Sequence, residues 1–210
     1  MSAVLDYSDE QIMKIVRQLR LAYKLKRTPR YGATRDPKVH SESVAEHKFA
    51  LLFLSRYFMQ TEVLPRGLHM ETVDNIILFH DFGEIPHGDK PYISKTKADE
   101  EQERLDAICV FASLPEELQE LGLRSWEAFE ARDGLEASFV NALDKLEPCF
   151  ELQGTTNEKT LMRLGYTYEK HVGKKLAATA AFPVMRKFVE VTARKKIGRG
   201  VFIDSAVAAE

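Results

Sequence analysis

The sequence predicts an all-α bundle. Apolar residues recur at helical spacing along most of the 210-residue chain. Capping residues, prolines and glycines divide that pattern into segments of ordinary helix length. No segment shows the strict period-two alternation of a strand. There is no internal repeat or low-complexity tract, so residues 1–210 read as one domain with room for a substantial core.

The elements follow in order. Ser8 caps a first helix, with Ile12, Ile15, Val16, Leu19, Ala22 and Tyr23 as its apolar stripe. Pro29 ends it, and residues 28–41, rich in Arg and Gly, form a loop. Ser43 caps a second helix, with Glu46 at the capping-box position. That helix carries His47 and then the dense apolar block FALLFLSRYF. A third helix runs from about Glu71 to Asp81 and is stopped by Gly83 and Pro86. The polar segment 87–96 is a functional loop. Helices are then expected at about 97–113, 115–121, 125–132 and 135–153. A last pair spans about 157–171 and 174–196, the latter kinked at Pro183, with a loose tail after Gly198.

Composition removes several function classes. The chain is 44% hydrophobic and 30% charged with a net charge of -2, so no global basic field suggests a nucleic-acid partner. No apolar run approaches the ~18–20 residues that cross a bilayer, so no membrane partner is expected. The segment MSAVLDYSDEQI is too polar for a signal peptide. Cys109 and Cys149, the only cysteines, sit among apolar residues and read as reduced, buried thiols of a cytoplasmic protein.

The stretch ILFHDFGEIPHGD (residues 77–89) carries the chemistry. An apolar helix end delivers His80 and Asp81, then Glu84, His87 and Asp89 within a few residues. Burying such groups costs several kcal/mol unless each has a strong partner. Two further ionisable residues lie in apolar helical patterns, His47 in SVAEHKFALLF and Asp144 in FVNALDKLEPCF. His47, His80, Asp81 and Asp144 around one divalent ion would leave one or two positions open. A set of N and O ligands suits Mn, Co, Fe, Zn or Mg without choosing among them.

SVAEH, LFHDFGE 33 residues later from histidine to histidine, and ALDKLE, whose aspartate lies 63 residues after Asp81, resemble the HD-domain metal-dependent phosphohydrolases. The branch most similar is the 5'-deoxynucleotidases, which share ESVxEH, HDxxE, a following GD, LDKLE and the W-E-x-F-E pattern seen here at Trp126–Glu130. The resemblance covers about residues 20–153; the helices at about 157–196 carry no such motif.

It implies an all-helical HD-domain bundle that hydrolyses nucleoside 5'-monophosphates, deoxynucleotides favoured, to nucleoside and phosphate. By the same resemblance His47, His80, Asp81 and Asp144 are metal ligands, Glu84 orients or deprotonates water, and Asp89 protonates the leaving alkoxide. Arg30, 17 residues before His47, matches a phosphate-binding arginine, with Arg35 a competitor and Lys90 and Lys95 beside the catalytic loop. Ala33 stands where relatives often have a sugar-shaping tryptophan; Tyr31 substitutes for it, or the pocket is wider and accepts ribose or polyphosphates. His87 reads as a contact to a ligand or to substrate, Trp126 as core, and Arg194, Lys195, Lys196 and Arg199 as cations complementing a helix C-terminus. The expected partners are a nucleotide and a second copy in a homodimer.

Three alternatives share the scaffold. A deoxynucleoside triphosphate hydrolase would release tripolyphosphate. An HD-type di-iron oxygenase would need more histidine ligands than His87 supplies nearby. A silent nucleotide-binding module would lack part of the ligand or carboxylate set.

Overall fold

The computed structural model describes residues 8–30, 42–62, 67–90 and 94–202, with the backbone alone at 155, 156 and 160. Among these residues there is no strand, and Pro29 and Ser43 form an isolated antiparallel β-bridge. The all-α expectation holds.

Helix α1 (Asp9–Leu19) is capped by Ser8 as predicted, with Gln11 completing a capping box. It buries none of its residues, and its stripe stays largely exposed. The chain then tightens into a 3₁₀ segment, Arg20–Arg27, whose Leu25 is buried. Helix α2 (Val44–Thr61) starts at the predicted box: the Ser43 N–H donates to Glu46 Oε2 at 2.7 Å, and the Glu46 N–H donates to Ser43 Oγ at 3.3 Å.

Helix α3 (Met70–Phe79) ends in His80 and Asp81, followed by a 3₁₀ turn, Phe82–Glu84. Gly83 allows that turn to lie against helix α4 (Lys97–Ala112), because a Cβ there would stand 2.9 Å from the Glu103 carbonyl oxygen.

Three expected boundaries are corrected. One helix, α5 (Glu116–Ala131), replaces the two at 115–121 and 125–132. Gly122 does not break it but makes room for the Phe111 ring, 2.6 Å from where a Cβ would sit. The expected 135–153 helix divides at Pro148 into α6 (Gly134–Leu146) and α7 (Pro148–Glu151). The expected last pair is three helices, α8 (Gly154–Arg163), α9 (Tyr168–Ala178) and α10 (Pro183–Ile197). Pro183 opens α10 at a position whose missing N–H costs no hydrogen bond, so it starts a helix instead of kinking one. Cys109 is exposed, against the expectation of a buried thiol, and Lys196 at the end of α10 is buried.

Two cores result. One joins α2, α3, α6, α9 and α10 through Leu51, Phe58, Ile76, Leu143, Val172 and Val189. The other joins the 3₁₀ segments, α4 and α5 through Leu25, Phe82, Val110, Phe111 and Trp126. Helix α3 contributes Ile76 and Ile77 to the first and Phe79 to the second, so His80 and Asp81 lie where the two cores meet. Trp126 fills core space as expected.

Near the C-terminal side His171 is buried against Tyr166 and Phe202. Burial, with the charges of Lys175 and Lys196, pushes its pKa down to about 2. The folded imidazole stays neutral, while the unfolded one takes a proton below about pH 6.5. Stability therefore falls as pH drops below 6.5, by ~1.4 kcal/mol per pH unit from this group. Replacing it as His171→Phe should shrink the loss in unfolding free energy between pH 7 and 5.5 by about 1 kcal/mol, as read from urea titrations. An unchanged pH dependence would show that His171 is protonated in the folded state.

Candidate metal centre

Helix α2 presents His47 inward because Val44, Leu51, Ser55 and Phe58 share its buried face. Helix α6 brings Asp144 by the same logic, between the fully buried Leu143 and Leu146. His80 and Asp81 come from the C-terminal end of α3, where the turn of Asp81 (φ -100, ψ 18) lets neighbouring side chains converge. Ligand atoms of His47, His80 and Asp81 lie within 4.8 Å of one another. Asp144 joins them through Oδ1, 3.1 Å from His47 Nε2, while its Oδ2 accepts from Lys145 Nζ at 2.6 Å. The four predicted ligands are thus brought together, all buried.

His80 Nε2, Asp81 Oδ2 and Glu84 Oε2 are buried without a hydrogen-bond partner. Each such atom costs about 1–3 kcal/mol. His80 Nε2 is 3.0 Å from Asp81 Oδ1, and its Nδ1–H donates to the Ile77 carbonyl at 3.0 Å, which leaves Nε2 as the coordinating lone pair. These orphaned atoms, with two imidazoles and two carboxylates, fit a divalent cation.

The electrostatics agree. Burial works against the Asp81 carboxylate, but His80, Lys48 and His47 overcome it and hold the group well below the usual carboxylate range. Asp144 is likewise held low, with Lys145 and His47 outweighing burial. Burial and the Arg30 charge oppose a proton on His47, yet its contacts with Asp144 and Glu147 raise its pKa to about 9. His47 gives up that proton when it ligates an ion.

Glu84 stands apart. Its carboxyl is pushed well above the ordinary value by burial first, then by the charges of Asp81 and Asp89. Asp89 is half-buried and lines the same cavity, a space of about 930 Å³ that also takes in His80, Asp81 and Asp144. Two carboxylates in different surroundings beside one centre are suited to proton transfers of opposite sense.

Arg30 reaches this cavity by a backbone device. Its N–H donates to the Glu42 carbonyl at 2.8 Å, and the Val44 N–H donates to the Thr28 carbonyl at 2.9 Å, fixing the strap to the start of α2. The guanidinium meets Glu42 Oε1 at 3.0 Å, and its charge is felt at Glu84, Asp144 and His47. Lys90 and Lys95 are at the rim; Lys90 Nζ donates to Asp99 at 2.7 Å and Lys95 pairs with Glu103. Tyr31, Ala33 and Arg35 lie outside the described residues. His87 is not among the residues lining the cavity; its Nδ1 is 2.5 Å from Asp106 Oδ2, which ties the loop after α3 to α4.

Three residues of the site escaped the sequence reading. Glu147 Oε2 lies 3.2 Å from His47 Nδ1, and Glu42 Oε1 lies 3.6 Å from it. A carboxylate on the far nitrogen fixes the tautomer and aims Nε2 at the centre. Burial, then the Glu147 charge, lifts Glu42 to about 8 against His47 and Arg30. The signal for Glu147 was its place three residues after Asp144, on one helix face. Lys48 is the third: buried, donating to the Leu78 carbonyl at 3.0 Å and lying 4.6 Å from the Phe82 ring centre. Burial lowers its pKa to about 8 although Asp81 and Glu84 oppose that shift.

Known proteins resemble this chain. Bovine 5'-deoxynucleotidase HDDC2 is 28% identical over 148 residues, covering 70% of each chain. The Xenopus laevis 5'-deoxynucleotidase HDDC2 is 29% identical over 167 residues, covering 78% of each. The crystal structure of a "predicted metal-dependent phosphohydrolase" from Magnetospirillum magnetotacticum superposes with a TM-score of 0.74 at 21% identity, covering 96% of this chain and all of that one. Residues 22–185 match the HD domain family, a span that includes the His47, His80–Asp81 and Asp144 segments, and the chain belongs to that family.

Proposed function

We propose that this protein is a metal-dependent phosphohydrolase that cleaves nucleoside 5'-monophosphates, deoxynucleotides favoured, to nucleoside and phosphate. The convergence of His47, His80, Asp81 and Asp144 beside Glu84, Asp89 and Arg30 in one cavity carries the reading. The 5'-deoxynucleotidase relatives support the substrate class. A divalent ion held by the four ligands supplies Lewis-acid polarisation of the phosphate and a more acidic water. Arg30 holds the phosphate with a planar fork that matches its oxygens. Glu84, ionised beside the cation, takes the proton of the attacking water, and burial with the charges of Asp81 and Asp89 raises its affinity for that proton. Asp89, nearer solvent, returns a proton to the leaving 5'-oxygen.

The test is a product assay on protein of known metal content, across ribo- and deoxynucleoside mono- and triphosphates. Orthophosphate from monophosphates, abolished by a chelator, is the expected result. Tripolyphosphate from triphosphates would replace this reading with the triphosphohydrolase alternative, and no hydrolysis with bound nucleotide would make the protein a binding module.

The proposal extends to a homodimer in the cytoplasm. Neither Cys109 nor Cys149 forms a disulfide, as in a reducing compartment. No helix among the described residues is long and apolar enough to cross a membrane. Helix α2 is apolar on nearly all sides, the mark of a covered helix, yet Phe49 (72%) and Phe53 (71%) are exposed one turn apart, with Tyr57 (49%) next in line. A straight seam of this kind is self-complementary about a two-fold axis. Sedimentation velocity should show a dimer that Phe53→Glu converts to a folded monomer. A wild-type monomer at micromolar concentration would remove the dimer.

A further inference from the structure

Helix α6 does more than supply Asp144. Asn141 and Ser138 precede it at helical spacing on the same face, and both line the cavity. Asn141 is only 8% exposed, and its carboxamide has no hydrogen-bond partner among the described residues. A buried amide without partners is costly, so one that faces a cavity is matched to what fills it. A carboxamide offers both N–H donors and an acceptor oxygen, and a hydroxyl answers both, whereas a phosphate answers only the donors.

The walls beside this strip are apolar. The Phe129 ring of α5 stands 4.8 Å from the His80 ring, at the metal end. The corner between α9 and α10 contributes Ala177, Ala178, Ala180, Ala181 and Phe182 to the lining, none of them polar. The Phe182 ring lies 5.6 Å from that of Phe139, the neighbour of Ser138, which brings this corner against α6 beyond Asn141. An uncharged group with apolar faces and a polar edge fits such a shelf.

Depth decides which part of a nucleotide meets which residue. Three residues of helix put Asn141 about 4.5 Å from Asp144 along the axis, and six put Ser138 about 9 Å away. When the phosphate is at the metal centre, the sugar follows it after one methylene group and the base lies beyond. Asn141 is therefore at the depth of the sugar, and Ser138 is nearer that of the base.

We infer that Asn141 is a specificity-determining residue that hydrogen-bonds the 3'-hydroxyl of the substrate sugar, with the nucleoside laid along α6 between Phe129 and the α9–α10 corner. The 3'-hydroxyl is the one that deoxyribonucleotides and ribonucleotides share. The inference rests on the nucleotide hydrolysis proposed above and adds the group by which the sugar is held.

The test measures kcat/KM for dAMP and for 2',3'-dideoxyadenosine 5'-monophosphate on metal-loaded protein. Wild type is compared with Asn141→Ala, which favours the helix, and Asn141→Leu, which keeps the volume. Wild type should prefer dAMP by about tenfold, and both variants should bring that ratio to within twofold of unity. The ratio is taken within each protein, so altered metal content or stability cancels. A wild type indifferent to the 3'-hydroxyl, or a preference that the variants retain, overturns the inference while hydrolysis itself keeps the proposed function standing. If no nucleotide is hydrolysed, the proposed function fails, and calorimetric titration with deoxyadenosine and 2',3'-dideoxyadenosine decides the subsite. Tighter binding of deoxyadenosine that Asn141→Ala abolishes supports it; equal binding, or none, ends it.

Discussion

Asp81→Ala should lose both bound metal and turnover. Asp81 is buried, its Oδ2 has no hydrogen-bond partner, and His80, Lys48 and His47 keep it ionised against the penalty of burial. An ionised carboxylate with an unused oxygen, beside two imidazoles, has its natural partner in a cation. Changing groups that only hydrogen-bond a ligand typically lowers metal affinity ~10–100-fold. Removing the ligand itself should exceed that range, with hydrolysis falling to background. Metal content by elemental analysis and affinity by competition with a chromophoric chelator report the first effect without reference to activity. Circular dichroism guards against a trivial outcome, because the variant leaves Lys48 short of a counter-charge. Full metal occupancy with a normal rate would sink the ligand assignment.

Glu84→Gln should separate chemistry from metal binding. The replacement keeps the shape of a buried side chain and removes its capacity to accept a proton. Metal content should stay at the wild-type level while kcat falls ~10²–10⁴-fold, the usual range for an acid–base group. KM should change little, since a group acting on the attacking water contributes mainly in the transition state. Loss of metal would make Glu84 a ligand, and a near-normal rate would leave it with no catalytic role.

His47, His80, Asp81 and Asp144 stand out in the sequence as candidate ligands because each lies in or at the end of an apolar helical pattern, whereas the roles of Glu84 and Asp89 come only from the family resemblance. An ionisable residue in an apolar helical pattern, or a run of them at a helix end, is costly unless it has a partner, and the pattern shows that cost without coordinates. Glu147 was legible in principle, three residues from Asp144 on the same face. Glu42 was not. It reaches His47 because a β-bridge between Pro29 and Ser43 ties the arginine strap to the start of α2, and no spacing rule announces one isolated rung.

What the sequence by itself determined is the helical architecture, the capped start of α2 and the residues that converge on the centre, since caps and periodicity are local properties of the chain. Tertiary structure decided the rest. Gly122 continues α5 because a phenylalanine ring from α4 needs its missing side chain, and Pro183 starts a helix because residues around it pack as a new element. Lys196 reads from the sequence only as a cation near a helix end, and the fold buries it. Whether a lysine near a helix end faces water or the interior depends on what folds over it, and that information is spread over helices distant in the chain.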